Sequence, residues 1–154
     1  MRQHDKYLRR LYRGGRPGRS ARLQNRVTAT AFALGIWPAR AAALEVRGRK
    51  SGRTISFPVA IAEYEGQRYL VSMLGEQANW VQNVRADEGR AVLRHGRREQ
   101  VRLEEVRAGQ RAPILQRYLQ VAPGARPHLP VNHKAPVERF ERIAADIPVF
   151  RIVS

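Results

Sequence analysis

The 154-residue sequence contains no cysteine, which excludes disulfides, thiolate zinc sites, iron–sulfur clusters and thiol catalysis together. That suits a cytoplasmic protein. Acid is scarce: 13 Asp and Glu stand against 29 Lys and Arg, a formal net charge of +16 that favours anionic partners. Aromatics make up 7% of the chain and fall mostly at expected core positions, so stacking platforms for nucleic acid are not expected. A specific nucleic-acid complex is therefore the third choice of function. Long apolar runs are missing too. The longest, VTATAFALGIWP at Val27–Pro38, is short of the ~20 residues that span a membrane, and it lies far from Met1 for a secretion signal.

What is present is enough for one folded domain, with 43% hydrophobic residues. Residues 1–26 form a basic N-terminal arm in which Asp5 is the single acid. Tyr7, Leu8, Leu11 and Tyr12 recur there at helical spacing, so the arm reads either as a solvated segment or as an interfacial helix touching an acidic membrane on its inner face. Residues 27–154 read as the domain. A helix is expected at Val27–Leu34, ended by Gly35 and Pro38. Strand patterns follow: ALEVRG, then TISFPVAIAEYEG with Pro58 marking an edge or bulge, then a further strand-like run in EYEGQRYLVSML after a short Glu-Gly-Gln connection, a hairpin. NWVQNVRADEG predicts a short helix capped by Asn79 and ended near Gly89. RAVLRHGRREQVRLEEV predicts a hairpin turning at His95-Gly96. A helix at AGQRAPILQRYLQ, a Pro-rich loop, a helix at VERFERIAAD and a strand at IPVFRIV complete the chain. Hairpin-linked strands outnumbering short helices point to a mainly β, α+β fold, a small antiparallel barrel.

One turn stands out chemically. In EVRGRKSGRTISFPV, Arg47, Arg49, Lys50 and Arg53 crowd a connection between two strands that also holds Gly48, Ser51 and Gly52. Glycines permit close approach, Ser51 offers a hydroxyl, and inward-pointing backbone N–H groups with Arg and Lys would bind phosphate or carboxylate oxygens. The spacing is not that of a Walker loop. An ordinary solvated hairpin is the alternative.

Taken as an ordered set, LEVRGRKSGRTISFPV, GQRYLVSMLG, NWVQNVRADEGRAVLRHGRREQVRLEEV and IPVFRIV resemble the deazaflavin (F420)-dependent nitroreductase family of the split β-barrel superfamily. The resemblance runs over Leu44–Val153. It implies an oxidoreductase that uses reduced coenzyme F420, an 8-hydroxy-5-deazaflavin, to pass a hydride to a quinone, nitro compound or activated alkene. FMN is the second choice of cofactor. By position, Arg49, Lys50, Ser51 and Gly52 would hold the coenzyme's phosphate and polyglutamyl tail, Ser72 and Gly75 would line a turn beside the deazaflavin, Trp80 would begin the helix closing the pocket, and Asn83 would fix that helix. The chain departs from the family at Met73-Leu74, which makes that turn more apolar, and at Asn79, where a proline is common.

The resemblance assigns no catalytic residue, since the tyrosines some members use have no counterpart near HLPVNHKAPVERF. His128 and His133 in that loop are substrate-side candidates as proton donors, or simply loop residues; their spacing is no metal motif, and none is expected. His4 and His95 read as exposed. Trp80 with Val81 and Val84 also fits a buried helix face, Asn83 a structural amide, and Ser72 an ordinary strand residue. Split-barrel relatives often pair as homodimers. The alternative function is a non-catalytic binder of a lipid, fatty acid or the coenzyme on the same barrel.

Overall fold

The computed structural model describes residues 40–154. The basic arm at 1–26 and the expected helix at Val27–Leu34 lie outside the described residues, as does His4.

Seven strands form one antiparallel sheet: β1 (Ala41–Arg47), β2 (Thr54–Ala60), β3 (Ala62–Tyr64), β4 (Gln67–Val71), β5 (Arg90–Arg94), β6 (Arg98–Glu105) and β7 (Val149–Val153), in the order β2-β1-β5-β6-β7-β4-β3. β2 and β3 occupy opposite ends of that order, yet only Ile61 separates them in sequence. The run expected to be one alternating strand therefore changes partner at Ile61, from β1 to β4. A chain that joins the two edges in this way forces the sheet to curl into a split barrel. Pro58 lies in the edge strand opposite Ala43, where a missing N–H is tolerated.

Side-chain alternation fills the barrel. Leu44, Val46, Phe57, Val59, Leu70, Leu93, Leu103, Phe150 and Ile152 face one core, and α1 (Asn79–Ala86) adds Trp80, Val81 and Val84 to it. The opposite face, with Ala62, Val71 and Val149, packs on α2 (Ala112–Val121) through Leu115, Tyr118 and Leu119, and on Phe140 of α3 (Val137–Glu141). Burial of each such Leu or Phe contributes roughly 1.5–3 kcal/mol, so both layers are needed.

The turns follow local chemistry. Glu65 and Gly66, both at positive φ, link Tyr64 to Gln67 as a two-residue hairpin of primed type. Gly89 at φ +83 ends α1 by donating to the Val84 carbonyl at 2.9 Å.

Three expectations are corrected. Asn79 is the first residue of α1 rather than its cap; Ala78 holds the cap position and makes no side-chain bond. The helix expected over VERFERIAAD stops at Glu141, and a 3₁₀ turn occupies Ala144–Asp146. The Ala144 carbonyl of that turn and the Ile147 carbonyl just after it accept from the Arg111 guanidinium at 3.0 and 3.1 Å. The Pro-rich loop contains a 3₁₀ segment at Pro123–His128.

Candidate functional site

The β1–β2 register closes at Arg47 opposite Thr54, leaving Gly48–Arg53 as a loop. Gly48 N–H donates to the Arg53 carbonyl and Gly52 N–H to the Gly48 carbonyl, both at 2.8 Å. The two glycines serve different needs. A Cβ on Gly48 would lie 2.8 Å from Ser51 Oγ and 3.0 Å from Ile55 Cδ1, whereas Gly52 needs its φ of +72.

α1 holds the loop from beside it. Asn83 is 2% exposed, and its Oδ1 accepts the Arg49 backbone N–H at 3.1 Å and Arg49 Nη1 at 2.8 Å. One buried amide thus fixes both the backbone and the guanidinium of Arg49. Because the acceptor is neutral, Arg49 keeps its full charge toward solvent. A cleft of about 400 Å³ opens here, lined by Arg47–Gly52 with Asn83, Ala86 and Asp87. Asp87, its one acid, lies 3.4 Å from Arg90, and no carboxylate among the described residues pairs with Arg47, Lys50 or Arg53.

The expectation that the loop's N–H groups point inward as a set needs correction. Those of Gly48, Arg49, Gly52 and Arg53 bond within the protein, the last to Ser51 Oγ at 3.2 Å. The donors that remain are the N–H groups of Lys50 and Ser51, the Ser51 hydroxyl proton and the cationic side chains. That set still suits a phosphate or carboxylate.

The structure groups Arg49, Lys50, Ser51, Gly52 and Asn83, and separates them from the other predicted residues. Ser72 is 1% exposed and closes its own turn: its Oγ donates to the Gly75 carbonyl at 2.7 Å, and its N–H to the Pro148 carbonyl at 2.9 Å. Gly75, at φ +84, leads into α1. Trp80 is 3% exposed, its ring centroid 5.8 Å from Phe57 and 5.4 Å from Phe150. Met73 and Leu74 belong to the α2-side core. We expect Ser72→Ala to lower unfolding free energy by ~1–2 kcal/mol through the lost bond in a buried turn. Urea denaturation measures that loss, and anion affinity at the basic turn should stay unchanged.

His128 ends a 3₁₀ segment, and His133 lies in the following loop, its imidazole held below its ordinary range by desolvation and then by Arg126 and Lys134. Neither lines the cleft. His95, expected to be exposed, is half-buried with Nε2 2.9 Å from Glu99 Oε1. Glu99 also receives both Arg68 nitrogens, at 3.0 and 2.6 Å, and the Ser154 hydroxyl at 2.8 Å. The Arg68 bonds, then the His95 bond, hold this carboxyl far below the usual carboxylate range.

Sequence reasoning missed a polar chain beneath α1. Arg85 bonds Glu76 at 2.7 Å and Glu105 at 2.9 and 2.7 Å; Glu105 in turn accepts from Arg111 at 3.1 Å. Arg111, 5% exposed, also donates to the Val106 carbonyl at 2.8 Å and to those of Ala144 and Ile147. Nothing in GQRAPIL marks that arginine as buried. Among the described residues no group of three or more His, Asp or Glu side chains could hold a metal, and no helix is long and apolar enough to cross a membrane.

The family profile "F420H(2)-dependent quinone reductase" matches residues 20–137. Among solved structures, an F420-H2 dependent reductase, FDR-A, is similar at TM-score 0.51 and 16% identity, over 76% of this chain and 96% of that one. A chain described as a domain-swapped dimer is similar at 0.54 and 15%, over 84% and 91%. A heme binding protein from Mycobacterium smegmatis is similar at 0.51 and 13%, over 89% of this chain but 51% of that one, about half its length. At these identities the structures speak for the fold alone. No curated protein matches.

Proposed function

Because the chain belongs to the F420H2-dependent quinone reductase family, we propose that it passes a hydride from reduced coenzyme F420 to a small organic acceptor, a quinone first, with nitro compounds and activated alkenes as further candidates. The observation that carries this reading is the Arg49–Asn83 clamp, which holds an uncompensated cationic loop open beside a cleft. These residues fit the coenzyme's anionic part: Lys50 and Arg49 would neutralise phosphate charge, the Ser51 hydroxyl would donate to a phosphate oxygen, and Gly52 would keep the loop compact. When bound, the deazaflavin supplies the hydride. This chain binds and orients it. Asn83 fixes Arg49, and α1, anchored by Trp80 in the barrel core, sets the position of Asn83.

The cleft lining contains no histidine or tyrosine to move a proton. That observation also favours the second reading, a non-catalytic binder of the coenzyme or a lipid on the same barrel. Consumption of the reduced coenzyme with menadione, a simple quinone, as acceptor separates the two, since a binder leaves it unconsumed. We expect Lys50→Ala to weaken coenzyme binding roughly tenfold or more, as for loss of one charge-assisted contact, with the melting temperature unchanged because Lys50 is exposed. Unchanged affinity in calorimetry would overturn the assignment of the turn. The likeness in fold to a chain described as a domain-swapped dimer supports pairing of two copies as a further part of the proposal, which light scattering on the purified protein tests.

A further inference from the structure

α2 leaves part of the sheet face it packs on uncovered. There a cavity of about 570 Å³, larger than the cleft at the basic turn and sharing no lining residue with it, lies between the strands and the start of α2. Register lays out its floor. Tyr69 stands opposite Arg151 and Arg151 opposite Glu104, so the three cross β4, β7 and β6 in one row. Tyr64 shares that face, two residues along β3 from Ala62, the partner of Tyr69. Val106, Pro113 and Ile114 supply apolar wall. Two half-buried phenol rings beside three apolar side chains make a slot for a flat ring. Charge in the slot sits at its two ends. Between them Glu104 is paired with Arg151 at 2.7 Å, and Glu105 with Arg85 and Arg111 at 2.7 and 3.1 Å. Two lining groups are uncompensated. Arg107, exposed just beyond β6, pairs with no carboxylate among the described residues, and Glu65, exposed at the β3–β4 turn, pairs with no cation among them. β6 and β3 stand three places apart in the sheet, so about 14 Å of strand spacing separates these two ends.

We propose that this slot binds a planar aromatic acid carrying a hydroxyl at its far end, with the carboxylate against Arg107, the ring against Tyr69 and Tyr64, and the hydroxyl donating to Glu65. Each contact follows from the groups present. A guanidinium gives a carboxylate charge-assisted N–H bonds, and an ionised Glu65, which can only accept, calls for an O–H donor. Two fused rings fill the interval left once both end side chains reach inward. A quinone has neither a negative charge nor an O–H, so it lacks both end contacts. The slot thus takes a second class of ligand, distinct from the coenzyme and from the acceptor proposed above.

Calorimetry on the full chain tests this with 6-hydroxy-2-naphthoate, beside 2-naphthoate, which lacks the hydroxyl, and 2-naphthol, which lacks the carboxylate. Each truncated probe is expected to bind roughly tenfold more weakly, as for loss of one hydrogen bond to a charged group. Arg107→Gln should erase the advantage over 2-naphthol and Glu65→Gln the advantage over 2-naphthoate, each leaving the other difference in place. Melting temperatures should hold, since both side chains are exposed. Lys50→Ala is the control for position. It should bind 6-hydroxy-2-naphthoate as the wild type does, and a loss there would put the carboxylate at the basic turn and overturn the inference. Equal affinity for the three probes, or a difference that survives in its matching variant, would overturn it as well.

Discussion

Asn83→Asp is expected to leave the loop folded and to remove most of its affinity for an anion. A carboxylate at position 83 can accept the same two Arg49 donors that the amide accepts at 3.1 and 2.8 Å, so the clamp persists and stability should change by no more than about 1 kcal/mol. What changes is charge. The neutral amide leaves the guanidinium uncompensated, whereas a carboxylate at hydrogen-bond distance cancels it. Coenzyme affinity should fall about 10- to 100-fold, the range for charge-assisted bonds worth ~1.5–3 kcal/mol. Asn83→Leu is the companion. It removes the acceptor itself, frees Arg49, and should cost ~2–3 kcal/mol of stability as well as affinity. Urea denaturation alongside calorimetry separates the two variants. If Asn83→Asp bound as tightly as wild type, Arg49 would not face the ligand.

The largest effect on stability is expected from Arg111→Leu, at ~3–5 kcal/mol. Its guanidinium satisfies the carbonyls of Val106, Ala144 and Ile147 and touches Glu105, all from a position 5% exposed. Leucine fills much of the volume but removes that donor from all three carbonyls, leaving Ala144 only the bond from the Ile147 N–H at 3.4 Å. The 3₁₀ turn at Ala144–Asp146, which leads into β7, should loosen first, and hydrogen exchange of that segment would report it.

Glu105 in this chain and Glu99 in a separate cluster give the fold an acid-side dependence. Bonds from Arg85 hold the Glu105 carboxyl below its ordinary value, and bonds from Arg68 and His95 depress Glu99 further. A depressed carboxylate stabilises the native state fully above its unfolded pKa, ~4.3. That stabilisation is lost as pH falls through the folded value. Stability should therefore be flat in these two groups at neutral pH and decline below about pH 4, with Glu105→Gln flattening part of the decline. Denaturation midpoints across that range measure it.

The strands were legible because period-two alternation and turn residues agree: Phe57 and Val59 face one core and Ala60 and Ala62 the other, as written in the sequence. The Glu65-Gly66 and His95-Gly96 turns were marked by their glycines. The partner change at Ile61 was invisible, because alternation continues unbroken through it while only the hydrogen-bonding neighbour changes. For the site, the GRKSG loop declared itself through charge and glycine spacing, and its link to Asn83 spans 34 residues that no local pattern connects. Ser72 and Trp80 came with the family resemblance. The structure gives both side chains packing and bonding roles, which one-dimensional spacing cannot tell from contact with a ligand. Arg111 was hidden for a plain reason: an arginine is almost always exposed, and only the carbonyls around this one reveal that it is not.

The most direct test is a calorimetric titration of the full chain with reduced coenzyme F420, with FMN in parallel. Heat is the readout rather than Trp80 emission, because Trp80 lies between Phe57 and Phe150, away from the cleft. Saturable binding of the deazaflavin, lost on Lys50→Ala and not matched by FMN, is the predicted result. Absence of deazaflavin binding, or binding indifferent to Lys50, would contradict the account.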